Sequence, residues 1–212
     1  MRPSLDAGFG AEHSLLATAP QFGFRQRVSA ALLRLLGWRV TGRYPTVDKL
    51  VIIVAPHTSN WDFPIAMFTA FATGLYQDFP HGFLMKASLA RWPVGPVMRR
   101  LGGIPVARTH SDQAVARVVE RFGAHDRFFL ALAPEGTRRS TSQWRSGFWH
   151  IARLAGVPVL PVAMDYGRRE IRFGEPVALT DDPEADTVRL KGFFDDVRGR
   201  RPHRTAAAAP GG

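Results

Sequence analysis

Apolar positions along this chain follow two periods, and the alternation between them lays out the elements. Leu50-Val51-Ile52-Ile53-Val54-Ala55 is an unbroken apolar run rich in β-branched residues, the pattern of a strand buried on both faces. Phe128 to Ala133 and Val157 to Met164 repeat it, and shorter runs at Gly82 to Lys86, Ile104 to Ala107 and Glu170 to Phe173 read as further strands. Between these runs the spacing widens to that of a helix. Val115, Val118, Val119 and Phe122 line one face of an amphipathic helix stopped by Gly123, and Gly147 to Ala155 forms another, ended by Gly156. A helix over Phe63 to Leu75 has Asp62 beside its first turn and Pro64 inside it, a position that tolerates proline. Ser88 to Leu101 is helix or turn material broken at Trp92-Pro93 and Gly95-Pro96. Strands alternating with helices predict an α/β fold, a single domain with a largely parallel central sheet flanked by helices.

An N-terminal amphipathic helix precedes the first strand. Val28, Ala31, Leu32, Leu35 and Leu36 recur at helical spacing, Arg25, Arg27 and Arg34 fall outside that stripe, and Gly37 ends it. Two readings follow. Either the stripe packs on the domain, or it lies on an anionic membrane with Trp38 near the headgroups. Residues 1–20 read as irregular, 21–203 as the domain, and 204–212 as a disordered tail.

Composition narrows the chemistry. The 212 residues contain no cysteine, which excludes a disulfide framework, a thiolate nucleophile and a cysteine-bound zinc. The 28 basic residues against 18 acidic ones give a net charge of +10, and all of the basic residues but Lys49, Lys86 and Lys191 are arginine. Such a surface favours anionic partners, and arginine supplies two-pronged contacts to phosphate. No helix-turn-helix, zinc-finger or RNA-stacking motif accompanies the charge, so nucleic acid is not the expected partner. The longest uncharged stretch near the central strand, Phe63 to Gln77, contains Pro64 and Gly74 and falls short of the ~20 apolar residues of a membrane span. Met1 to Ala19 is interrupted by Asp6 and Glu12, unlike a signal peptide, so a cytoplasmic protein is expected.

Three polar segments stand at the ends of the apolar runs. His57-Thr58-Ser59-Asn60-Trp61-Asp62 follows the first strand, where α/β sheets bind ligands. Read alone, Asp62 is a helix N-cap and His57 a hydrogen-bonded loop residue. The two diverge on a continuous helix and meet only across a turn, which Ser59-Asn60 can supply. A neutral His can then take a proton from an alcohol while the carboxylate holds the ring in one tautomer. No serine or cysteine elbow is present, so the attacking group would be a substrate hydroxyl. Leu101-Gly102-Gly103-Ile104-Pro105-Val106-Ala107-Arg108 places glycines before a short strand and an arginine at its end. It suits a backbone that approaches a ligand closely, or a solvent-facing terminal arginine. Pro134-Glu135-Gly136-Thr137-Arg138-Arg139-Ser140 ends a buried strand with the groups to grip a phosphate, or forms an ordinary charged turn.

Taken in order, these segments resemble the glycerolipid acyltransferase family, typified by 1-acylglycerol-3-phosphate O-acyltransferase. The family's His-four residues-Asp block is matched by His57 and Asp62, its Gly-four residues-Arg block by Gly103 and Arg108, and its Pro-Glu-Gly-Thr-Arg block by Pro134 to Arg138. A Val-Pro-hydrophobic-hydrophobic-Pro-Val block is matched by Val157 to Val162, and Lys86 and Pro93-x-Gly95 fit between the blocks. The resemblance covers residues 50–164. Two positions depart from it: Arg139 intervenes before Ser140, and the usual Lys-x-Gly appears as Arg145-Ser146-Gly147. Both lie where acceptor specificity would be tuned.

The resemblance implies direct acyl transfer. His57 is the general base, Asp62 orients and stabilises its ring, and backbone N–H groups near the motifs stabilise the oxyanion. The donor is acyl-CoA or acyl carrier protein, and the acceptor is a lysophospholipid at a membrane surface. Arg108 and Arg138 bind its phosphate, while Gly103, Glu135, Gly136 and Thr137 shape that site. Neither cofactor nor metal is required, and the other histidines lack ligand spacing. Two alternatives stay open: another acceptor such as a lyso-ornithine lipid, or a non-catalytic basic module that binds a membrane surface.

Overall fold

Seven strands form one sheet in the order β1-β7-β6-β2-β5-β3-β4 in a computed structural model that describes residues 23–76, 80–106, 111–138 and 143–201. In chain order the strands are β1 (Arg39–Thr41), β2 (Lys49–Ala55), β3 (His81–Lys86), β4 (Gly103–Val106), β5 (Phe128–Leu132), β6 (Val159–Asp165) and β7 (Glu170–Phe173). The helices are α1 (Phe24–Leu35), α2 (Asp62–Ala72), α3 (Gly95–Arg100), α4 (Ser111–Ala124), α5 (Gly147–Ala155) and α6 (Pro183–Gly192), with a 3₁₀ turn over Ala87–Ala90. All neighbouring strands run parallel except the β6–β7 hairpin. The expected irregular segment 1–20 and tail 204–212 lie outside the described residues.

The two-sided burial of β2 explains its unbroken apolar run. Leu50 and Ile52 join a cluster with Leu33, Ile65, Leu160 and Val162 on the α1 and α2 face. Val51 and Ile53 point the other way, into a cluster with Val118, Phe122, Phe148, Ile151 and Leu190 from α4, α5 and α6. Strands that alternate between two buried faces carry hydrophobic residues at every position. Because β3, β5, β2 and β6 are parallel, their carboxyl ends share one edge.

Two elements go beyond the sequence reading. β1 is only three residues long and pairs with β7, and α6 follows an Asp182 cap whose side chain accepts from the Glu184 and Ala185 amides. Helix α2 stops at Ala72 rather than Leu75, because Gly74 adopts a left-handed φ of 81° just past its end.

The N-terminal helix forms as expected, yet its hydrophobic stripe does not face the core. The side packed on α2 consists of Gln26, Ser29, Ala30 and Leu33, and Gln26 Nε2 donates to the Ala72 carbonyl at 3.0 Å, capping the end of α2. Val28, Leu35 and Leu36 are exposed, as is Phe24. Small and polar residues let two helices approach closely, which the apolar stripe would prevent. Trp38, which the membrane reading of this helix places near lipid headgroups, is buried and packs edge-on against Tyr166 with ring centroids 4.8 Å apart.

Candidate active site

The carboxyl ends of three adjacent strands converge on one place. β2 leads into His57, β5 into Glu135, and β6 into Tyr166. Residues 56–61 turn between β2 and α2, bringing His57 Nδ1 to 3.0 Å from Asp62 Oδ2. That oxygen also accepts the backbone N–H groups of Thr58 and Ser59, each at 2.8 Å. Asp62 therefore caps the turn upstream of it rather than the first turn of α2, whose start has no side-chain cap. Its other oxygen, Oδ1, accepts the Tyr166 hydroxyl at 2.8 Å.

This wiring fixes the proton inventory of the ring. With Nδ1–H donated to a buried carboxylate, the neutral imidazole presents its lone pair on Nε2. The His57 side chain is 30% exposed while that of Asp62 is 4% exposed. The imidazole thus meets solvent and the carboxylate does not, an arrangement that can take a proton from an incoming alcohol.

Glu135 ties the third motif to the first. Its Oε1 accepts the His57 backbone N–H at 3.0 Å, and its Oε2 is buried without a hydrogen-bond partner among the described residues. Burial pushes the Glu135 carboxyl above the ordinary carboxylate range, against the opposing pull of the His57 amide. Gly136 has a φ of 61°, and a Cβ there would stand 2.6 Å from Arg145 Cδ. The left-handed backbone favours glycine at this turn, and the exposed Arg145 side chain lies across it. Arg145 belongs to the loop here, with its N–H donating to the Pro134 carbonyl at 2.8 Å. Thr137 is half-buried and Arg138 exposed in the same turn.

Of the remaining motif residues, Gly103 stands elsewhere. Gly103 opens β4, at the amino end of that strand and thus opposite the edge that carries His57. A Cβ on Gly103 would lie 2.7 Å from the Met98 carbonyl and 2.8 Å from Met85 Sδ, so close packing accounts for glycine there. Arg108 falls outside the described residues.

Sequence reasoning missed Tyr166 and the segment that folds back beside it. The Tyr166 N–H donates to the Arg198 carbonyl at 2.8 Å, and the Arg200 guanidinium stands 5.2 Å over the exposed Trp61 ring. The Arg201 N–H reaches Thr58 Oγ1 at 3.4 Å. Nothing in the local pattern signals these contacts, because they join residues from 32 to 143 positions apart.

A 1-acyl-sn-glycerol-3-phosphate acyltransferase of Streptococcus pneumoniae is 29% identical over a 170-residue alignment that covers 71% of this chain and 61% of that protein. The chain thus spans less than two thirds of that relative's length. The crystal structure of the 1-acyl-sn-glycerophosphate (LPA) acyltransferase PlsC from Thermotoga maritima superposes with a TM-score of 0.55 at 19% identity, covering 80% of this chain and 74% of that one. That likeness is one of fold. The acyltransferase family model matches residues 38–165, taking in β2, β5, β6 and the dyad they frame, and the chain belongs to this family.

Proposed function

We propose that this chain moves a fatty acyl group from an acyl thioester to the hydroxyl of a lysophospholipid, with 1-acylglycerol-3-phosphate as acceptor and phosphatidic acid as product. The observation that carries the reading is the 3.0 Å contact between a solvent-reaching His57 and a buried Asp62 at the carboxyl edge of the sheet. The activities for which the pneumococcal and Thermotoga proteins are named support the substrate class.

In the proposed step, His57 Nε2 takes the proton of the acceptor hydroxyl as its oxygen attacks the thioester carbonyl. Asp62 stabilises the imidazolium that forms. The tetrahedral intermediate collapses by breaking the carbon–sulfur bond, and the departing thiolate recovers the proton from His57. An ester and a free thiol result, and no acyl-enzyme forms. Arg138, with Arg108 from the segment after β4, holds the acceptor phosphate, while Glu135, Gly136 and Thr137 shape the loop. The donor is acyl-CoA or acyl carrier protein, and no metal or prosthetic group enters the step.

The acceptor is a lipid, so the protein works at a membrane surface. No helix among the described residues is long and apolar enough to cross a membrane. The exposed Phe24, Val28, Leu35 and Leu36 of α1 and its C-terminal end, flanked by exposed Arg25, Arg27 and Arg34, support peripheral attachment to an anionic leaflet, the inner face of the cell membrane.

Purified protein incubated with labelled acyl-CoA or acyl carrier protein and a panel of lysolipids, followed by lipid mass spectrometry, tests this. Phosphatidic acid as the main product supports the reading. A product from lyso-ornithine lipid alone replaces the acceptor, and no thiol release with any pair leaves only a basic surface-binding module.

A further inference from the structure

The family match ends at Asp165, and the next residue reaches the dyad. Tyr166 opens the turn between β6 and β7, and its hydroxyl donates to Asp62 Oδ1 at 2.8 Å. Two contacts hold it there. Its ring meets the buried Trp38 edge-on at 4.8 Å, and its backbone N–H donates to Arg198. Burial and the neighbouring Asp62 charge push the Tyr166 phenol up, so the hydroxyl stays a donor throughout the neutral range.

The two oxygens of Asp62 thus have separate duties. Oδ2 is anchored by the Thr58 and Ser59 amides and faces His57, while Oδ1 faces the phenol. A donor on one oxygen of a carboxylate withdraws charge from the other. We propose that Tyr166 is a positioning residue of the reaction: its hydroxyl fixes the rotation of the Asp62 carboxylate and moderates how strongly that carboxylate favours the protonated His57 ring. Its consequence for rate rests on the acyl-transfer reading. Its consequence for the imidazole does not.

Among the described residues, Glu135, from the loop after β5, and Arg200, whose field reaches the Tyr166 phenol from the C-terminal segment, also face the dyad. Tyr166→Phe leaves both in place, along with the ring packed on Trp38. The sign then follows. Without the phenol, Asp62 keeps its full charge opposite His57, and the imidazole holds its proton to higher pH.

The test follows the His57 ring by carbon–proton NMR against pH in the parent and in Tyr166→Phe, with the resonance assigned by its loss in His57→Ala. It is paired with kcat/KM profiles using acyl-CoA and 1-acylglycerol-3-phosphate. The titration midpoint and the acid limb of the rate profile should both move to higher pH, by about half to one unit. Below the midpoint kcat/KM is then roughly three- to tenfold lower than in the parent, and it recovers as pH rises. In an Asp62→Asn background the same substitution should leave the pH profile unmoved, since the phenol acts through the carboxylate. A lowered melting temperature with an unmoved midpoint would make Tyr166 a packing residue and overturn the proposal. So would a full additional loss in the Asp62→Asn background, which would mean direct contact with substrate. If no lysolipid supports turnover, the reading of the reaction fails, and the ring titration still decides the role of Tyr166.

Discussion

Asp62→Asn separates the charge of the dyad from its shape. The asparagine oxygen can occupy the place of Oδ2 and keep the Thr58 and Ser59 amides and the His57 Nδ1–H as donors. The amide nitrogen then faces Tyr166, whose hydroxyl turns to accept. Asp62→Ala is a poorer probe, because it strands buried donors at about 1–3 kcal/mol each and confuses catalysis with unfolding. What asparagine removes is the negative charge 3.0 Å from the ring. At an effective dielectric of about 20, that charge stabilises an imidazolium by roughly 5 kcal/mol. Solvent access to the partly exposed ring reduces the figure, so a loss of about 10²–10⁴ in kcat is expected. The assay is thiol release from acyl-CoA at saturating lysolipid, with a thermal melt to show that the variant is folded. A folded Asp62→Asn enzyme within a few-fold of the parent would refute the electrostatic role and leave Asp62 as a turn cap.

Three further outcomes follow from the same geometry. Burial raises the Glu135 carboxyl above its ordinary 4.5, so the folded protein holds this proton after the unfolded chain has lost it, and stability falls as pH rises above that value. Glu135→Gln, which still accepts the His57 amide, should melt higher than the parent near neutral pH and lose that advantage toward about pH 4. Arg138→Ala should raise the acceptor KM roughly 10- to 100-fold, the loss of one charge-assisted contact, while the donor KM stays put; Arg138→Lys should rescue only in part. Phe24→Asp with Leu35→Asp, at side chains 81% and 82% exposed, should leave the melting temperature unchanged and weaken co-sedimentation with anionic vesicles, which should also fall as salt rises. A loss of folding instead would mean the stripe packs on the protein.

Much of the sheet was legible because β2, β5 and β6 are buried on both faces and so read as continuous apolar runs. Length defeated β1, whose three residues are too few to show a period. Helix α6 was missed for another reason: its cap signal, Asp182 before Pro183, was present, but only Asp186 and Leu190 are buried along it and no apolar stripe marked it. The hydrophobic pattern located α1 correctly and could not say which side packs, since Gln26 and Ser29 earn their burial by fitting α2 rather than by being apolar. At the site, His57 and Asp62 were readable because the turn that joins them is local. Tyr166 was not, because a parallel sheet places it beside Asp62 across 104 positions of sequence. Gly103 shows the reverse failure, a motif residue whose surroundings, Met98 and Met85, explain it by packing.

The account stands on His57 as the base that activates a substrate hydroxyl. The direct measurement is turnover of acyl-CoA and 1-acylglycerol-3-phosphate by His57→Ala, with melting temperature and vesicle binding measured on the same preparation. The predicted result is a folded, membrane-binding protein whose thiol release falls by at least about 10²–10⁴. A folded His57→Ala protein that forms phosphatidic acid at close to the parent rate would contradict it.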